Sequence, residues 1–172
     1  MAPRRTIAGL LAASVLVLTG CGGGSSVADP PVQSSPTSSP TSGPPAHETA
    51  EHFIRRWAEA EKQMENTGKT AAYLSMSRQC TSCRQLAADI RGFYAAGGFA
   101  RWVGWRILTI KPAGSHGQDK VYDVTVDSGP TRYRESGTSP IKHLKGGPAT
   151  HQLVLKPHDN SWLVVQKAQI AR

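Results

Sequence analysis

Cys80 and Cys83 are the residues whose type and spacing come nearest to chemistry in this chain of 172 residues. They form Cys-x-x-Cys at the head of an amphipathic stretch. Two thiols so spaced can close a disulfide, exchange electrons with a substrate disulfide, or supply half of a zinc site. An oxidising compartment favours the disulfide. Exchange also uses such a pair at a helix N-terminus, where the thiol pKa is lowered. A redox motif follows directly on a β-strand, however, whereas here the polar run Ser75-Met76-Ser77-Arg78-Gln79 leads in. Structural zinc needs four ligands, and there is no second cysteine pair. A structural disulfide is the expectation, with a thiol–disulfide exchanger as the alternative.

The other titratable residues give weaker signals. His47, His52, His116, His143, His151 and His158 are scattered and each reads as a surface side chain. Proton-transfer chemistry would need an acid or base inside a pocket. Asp89 on the third helix, beside Ile90, and Asp123 on a strand are the candidates. Strand alternation turns Asp123 outward. Tyr73, Tyr94 and Tyr122 could donate hydrogen bonds. No Ser-His-Asp or metal pattern accompanies them. Gly68-Lys69-Thr70 has the tail of a phosphate-binding loop, but Gln63 stands where its first glycine would be. Neither catalysis, a metal nor a cofactor is expected. An aromatic set, Trp57, Tyr73, Phe93, Tyr94, Trp105, Tyr122 and Trp162, could line a cavity or simply pack.

The elements that position these residues fall in two halves. Ala50, Phe53, Ile54, Trp57, Ala58 and Met64 recur at helical spacing and predict a helix over 48–66, capped by Gly68. A short helix is expected over 70–75. Ser82-x-x-Gln85 reads as a capping box and starts a third helix near Cys83, which Gly97-Gly98 stops. Beyond Gly98 the period becomes alternating. Strands are expected over 102–110, 121–127, 131–135 (a charged edge strand), 141–144, 150–156 and 161–170, the last two joined by a turn over 157–160. In the second of these, Tyr122, Val124 and Val126 point inward. Helices followed by an antiparallel sheet imply α+β, with three N-terminal helices on one face of a curved sheet of four to five strands.

The N-terminus reads as an address. Arg4 and Arg5 precede the apolar run Ile7–Leu18, which is too short to span a bilayer and suits a secretory signal. It ends in Leu18-Thr19-Gly20-Cys21, which resembles the lipobox of bacterial lipoproteins at every position. That resemblance implies cleavage before Cys21, diacylglyceryl attachment to its thiol, and anchoring on the outer face of the cytoplasmic membrane. Residues 1–20 are then the signal peptide. Residues 21–46 are the lipidated Cys and a disordered tether, carrying six of the chain's twelve prolines and no aromatic residue. Such a tether averages roughly 25–30 Å end to end. Residues 47–172 are the single folded domain, with all the aromatic core material and a basic surface. The formal charge of the chain is +8, which favours anionic partners. Export argues against nucleic acid.

Taken together, Phe53-Ile54-Arg55-Arg56-Trp57, the Cys-x-x-Cys at the third helix and the closing Trp162-Leu163-Val164-Val165 resemble an actinobacterial lipoprotein family with an NTF2-like cone. The resemblance implies fold and location and brings no activity. The expected function is a membrane-anchored, non-enzymatic envelope module that binds a protein partner or an apolar ligand, with a dimer through the sheet face open to it. The alternatives are an envelope redox protein using Cys80 and Cys83, or an isomerase- or hydratase-type cone enzyme.

Overall fold

α1, Ala50–Thr67, forms where the sequence repeats apolar residues on one stripe; Phe53, Ile54, Trp57 and Met64 are fully buried along it. The helix begins two residues later than the periodicity predicts, because Thr49 is the N-cap and its Oγ1 accepts from the His52 amide. Gly68 ends it in the left-handed region at φ 72°, donating its amide to Met64. The Tyr94 ring lies against Gly68 so closely that a Cβ there would sit 2.7 Å from it. These coordinates come from a computed structural model, which describes residues 47–171. The signal segment at 1–20, the Cys21 lipidation site and the tether over 21–46 lie outside the described residues.

α2, Ala71–Ser77, is a short helix that buries Tyr73. α3, Thr81–Ala95, starts earlier than expected and with a different cap. Cys80 is the N-cap, its Sγ accepting from the Cys83 amide at 3.2 Å, so the Ser82 capping box does not form. Ser82 instead donates its hydroxyl to the Lys167 carbonyl, tying the helix to the last strand. The glycine pair closes α3 as read: Gly98 N–H reaches the Phe93 carbonyl and Gly97 N–H the Tyr94 carbonyl, with Gly97 at φ 75°.

The C-terminal half is antiparallel throughout but forms two sheets. β1, Phe99–Trp102, β4, Thr131–Arg134, and β5, Lys142–Leu144, make a small sheet in the order β1-β4-β5. β2, Trp105–His116, β3, Asp119–Ser128, β6, Gly147–His158, and β7, Ser161–Ile170, make a larger one in the order β2-β3-β6-β7. The α+β class and the three helices stand as expected. The single strand expected from Trp102 onward does not. Gly104 at φ 96° breaks it, sending Trp102 into one sheet and Trp105 into the other. The charged stretch after Thr131 is not an edge strand either: β4 lies between β1 and β5. Its charged residues Arg132 and Arg134 alternate with the cavity-lining Thr131 and Tyr133, so they take the face away from the cavity. The hairpin turn tightens to Asp159-Asn160, since Pro157 and His158 pair with Trp162 and Ser161.

The larger sheet places Val124, Val126, Leu153, Leu155 and Val164 under the helices, all at or near zero exposure. Tyr122 shares their face of β3, as alternation predicts, and is partly buried. Asp123 takes the opposite face. It is buried there rather than exposed, because β3 runs between β2 and β6 and the Gln152 amide covers it at 3.3 Å. Glu48 fastens the start of the domain to the β6–β7 hairpin. Its carboxylate takes Arg56 at 2.6 Å and the Ser161 hydroxyl, and its carbonyl takes the Trp162 indole N–H at 2.8 Å. Those donors hold the Glu48 carboxyl down at about 2.

Cys80 and Cys83 are bonded to each other, with exposures of 0% and 1%. No attacking thiolate reaches either sulfur without local opening, which is the opposite of what an exchanger needs. We expect the glutathione-buffer midpoint of this pair to lie below about −300 mV. Replacing both cysteines by serine should cost about 2 kcal/mol through the released loop alone. Urea unfolding of the paired and serine forms measures the second, and a midpoint in the oxidoreductase range would reject the first.

Candidate functional site

Between α1, α3 and the inner faces of both sheets lies a cavity of about 650 Å³. Its walls are built by elements that present apolar side chains inward: Leu86, Ile90 and Phe93 from α3, Trp102 from β1, Trp105 from β2, Tyr133 from β4, and Leu144 from β5. The Phe93 and Tyr133 rings stack at 5.9 Å, and Trp102 meets Trp105 edge to face at 6.3 Å. The strand break at Gly104 is what lets both indoles face the same space from two sheets.

The floor is charged. Glu61, on the buried stripe of α1, is only 2% exposed. Its carboxylate accepts from Lys167 Nζ at 2.6 Å and from the Tyr73 hydroxyl at 3.0 Å. Lys167, on β7, lies over the Trp105 ring at 4.7 Å and the Trp57 ring at 5.4 Å, so two indole faces and one carboxylate surround its ammonium. Tyr73 stays a phenol, since burial and the neighbouring carboxylates push its pKa far up. One turn along α1, Glu65 also faces the cavity. Burial, with the charge of Glu61 behind it, raises its carboxyl to about 7, and Lys167 opposes the shift only in part.

His151 lines the opposite wall, stacked on Trp105 at 4.5 Å. It is half-buried, which corrects the surface reading of all six histidines. The surface expectation fails here because residue 151 falls on the inner row of β6, between Ala149 and Leu153. Burial, then the Lys167 charge, lowers its imidazole to about 4, so it is neutral at ordinary pH. Its Nδ1, like Trp57 Nε1, is buried without a hydrogen-bond partner among the described residues.

Of the aromatic set read from the sequence, Phe93 and Trp105 line this cavity. Trp57 and Tyr73 are fully buried and support its floor. Tyr94 packs on Gly68 and donates to the Glu65 and Ala100 carbonyls. Tyr122 lies farther along the sheet, and Trp162 seals the hairpin beside His47 at 5.7 Å. Asp89 stands exposed at the cavity rim, bonded to Gln85 at 2.8 Å. The acid candidates thus give way to Glu61, Glu65, Lys167 and His151. A glutamate at an apolar-stripe position of an otherwise amphipathic helix was the signal: Glu61 follows Phe53, Ile54, Trp57 and Ala58 in phase.

The arrangement can hold a molecule of moderate size against aromatic walls and offer its polar end a carboxyl group able to donate or accept a proton near neutrality. No family model matches the chain, and no curated protein matches it. Among solved structures it is similar to the intermembrane space region of the chloroplast protein ARC6, at 8% identity and a TM-score of 0.52, over 72% of this chain and 95% of that one. That likeness is one of fold alone. It is also similar, at a TM-score of 0.40, to an NTF-2 like protein of unknown function from Shewanella oneidensis MR-1, with 13% identity over 70% of this chain and 98% of that one. A candidate polyketide cyclase from Pseudomonas putida KT2440 has 12% identity over 73% of this chain and 92% of that one, also at 0.40.

Proposed function

We propose that the protein is a membrane-anchored envelope lipoprotein whose domain binds a small, largely apolar ligand in the cavity between helices and sheets. The cavity carries this reading: about 650 Å³, walled by Phe93, Trp102, Trp105 and Tyr133 and floored by a fixed polar cluster, has the size and lining of a small-molecule site. A buried imidazole nitrogen left without a partner costs free energy that a ligand's donor could offset. The anchor rests on Leu18-Thr19-Gly20-Cys21 and the apolar run before it.

Protein isolated from its native membrane should carry a small molecule that organic extraction releases and mass spectrometry detects. The stripped protein should bind the neutral dye Nile red saturably, at one site. Ala149 lines the cavity, and Ala149→Phe would put a ring into the space. We expect that variant to lose dye affinity by about tenfold or more, equivalent to 1.4 kcal/mol, with little change in melting temperature. Absence of both a co-purified molecule and saturable dye binding would refute the reading. Cys21→Ser should leave the precursor uncleaved and free of labelled palmitate.

A second reading, an isomerase- or hydratase-type enzyme, is favoured by one observation, the Glu65 carboxyl poised at about 7 inside the cavity. In it Glu65 would move the proton while the neutral His151 and the Tyr73–Glu61–Lys167 cluster fix the site. Glu65→Gln separates the readings. A carrier keeps its ligand affinity and loses nothing else, whereas an enzyme keeps affinity and loses turnover of the extracted molecule.

A further inference from the structure

We propose that the outer face of the β1-β4-β5 sheet binds the phosphate headgroups of an anionic lipid surface. Strand register composes this face. Phe99 pairs with Arg134, Arg101 with Arg132, and Arg132 in turn with His143. Alternate residues of a strand share a face, so these five side chains stand together, opposite the face that lines the cavity. The three guanidinium groups lie 5.5, 5.1 and 5.4 Å from the centre of the one Phe99 ring.

Three cations gathered on one ring repel one another. Among the described residues no carboxylate lies within ion-pair distance of Arg101, Arg132 or Arg134. Their hydrogen bonds go to neutral oxygens: Arg101 to the Asn66 and Ala100 carbonyls and the Tyr94 hydroxyl, Arg134 to the Gly97 carbonyl. Planar guanidinium forks match phosphate oxygens better than any other side chain. The charge complement of this face is therefore a surface carrying several phosphates.

Phe99 at its centre and the exposed Ile141 just before the edge strand favour a lipid surface over a soluble polyanion, since apolar groups amid arginines suit the headgroup boundary. The inference rests on the anchored-lipoprotein reading above. There an acyl anchor at Cys21, only 26 residues before His47, keeps the face near the bilayer. Contact through this face sets how the domain lies on the membrane, which an acyl anchor alone does not.

The test uses the full acylated chain in phosphatidylcholine vesicles with and without phosphatidylglycerol. Reaction of each arginine with phenylglyoxal is read by peptide mass spectrometry. We expect Arg101, Arg132 and Arg134 to be protected several-fold only in the anionic vesicles, and high salt to remove the protection. Arg55, exposed on α1, serves as the unprotected control. Arg132→Glu should restore reactivity of Arg101 and Arg134 in anionic vesicles. Equal modification in both vesicle types would overturn the proposal. So would protection by added polyphosphate but not by phosphatidylglycerol, which would make a soluble polyanion the occupant. A chain that fails to float with vesicles sinks the anchor reading. One that floats unprotected sinks only the headgroup face.

Discussion

Lys167→Met is expected to be the most damaging single substitution in the domain, lowering stability by about 3–5 kcal/mol. Lys167 holds the buried Glu61 carboxylate at 2.6 Å and stands as the cation nearest to both Glu61 and Glu65. Methionine keeps the apolar stem and its contact with Trp57 and Trp105. What it removes is the charge. Glu61, 2% exposed, then keeps the Tyr73 hydroxyl as its one hydrogen-bond donor among the described residues. A buried ion deprived of its partner costs far more than the pair is worth against apolar replacements. The melting temperature should therefore fall by about 10 °C or more for a domain of this size. Adding Glu61→Gln to the same chain should return most of the loss, because no uncompensated charge remains. Urea unfolding of the single and double variants measures both. A single-variant cost below about 1 kcal/mol would mean the pair behaves as a solvated surface bridge, and the polar floor of the cavity would be misassigned.

The residues of that pair also mark what the sequence could and could not disclose. The helices were legible because their stripes are regular and because Gly68 and the Gly97-Gly98 pair mark two of their C-terminal ends. β7 runs over the stretch its alternation indicates, Ser161–Ile170. The division into two sheets was not legible. It turns on Gly104, one glycine inside a run of apolar residues, and local pattern does not say whether such a glycine bulges a strand or breaks it. The disulfide followed from two residues at short range. The cavity floor needed contacts across about a hundred residues, Glu61 from α1 with Lys167 from β7. In sequence Lys167 reads as one more polar residue near a C-terminus, and Glu61 as one more glutamate on a charged helix. Glu61 is in phase with the apolar stripe, but only packing shows that Lys167 points inward to meet it. His151 was hidden in the same way, its place on the inner row being set by the pairing of β6 with β3.

Glu65 and His151 should pull the pH dependence of stability in opposite directions, and removing either should expose the other. Glu65 is raised from 4.5 to about 7, so between those values the folded state binds more protons than the unfolded chain. Its contribution is complete below pH 4.5 and is lost as pH rises through about 7. His151 is lowered from 6.5 to about 4, so the unfolded chain binds more protons in that window. Its contribution is complete above pH 6.5 and is lost as pH falls through about 4. Each shift converts to at most roughly 3 kcal/mol. The two windows overlap between pH 4.5 and 6.5, where the native chain should show a nearly flat stability profile. Glu48, held at about 2, titrates below that range, and the Tyr73 phenol, pushed up, titrates above it. The Lys167 charge acts on both groups, opposing the rise of Glu65 and adding to the fall of His151. Glu65→Gln should therefore give a chain that gains stability from pH 4.5 to 6.5. His151→Gln should give one that loses it from pH 4.5 to 7. Urea midpoints for the three chains across this range provide the measurement. Variant profiles that run parallel to the native one would show that folding shifts neither pKa, and Glu65 would then lose its standing as a proton-transfer group poised near neutrality.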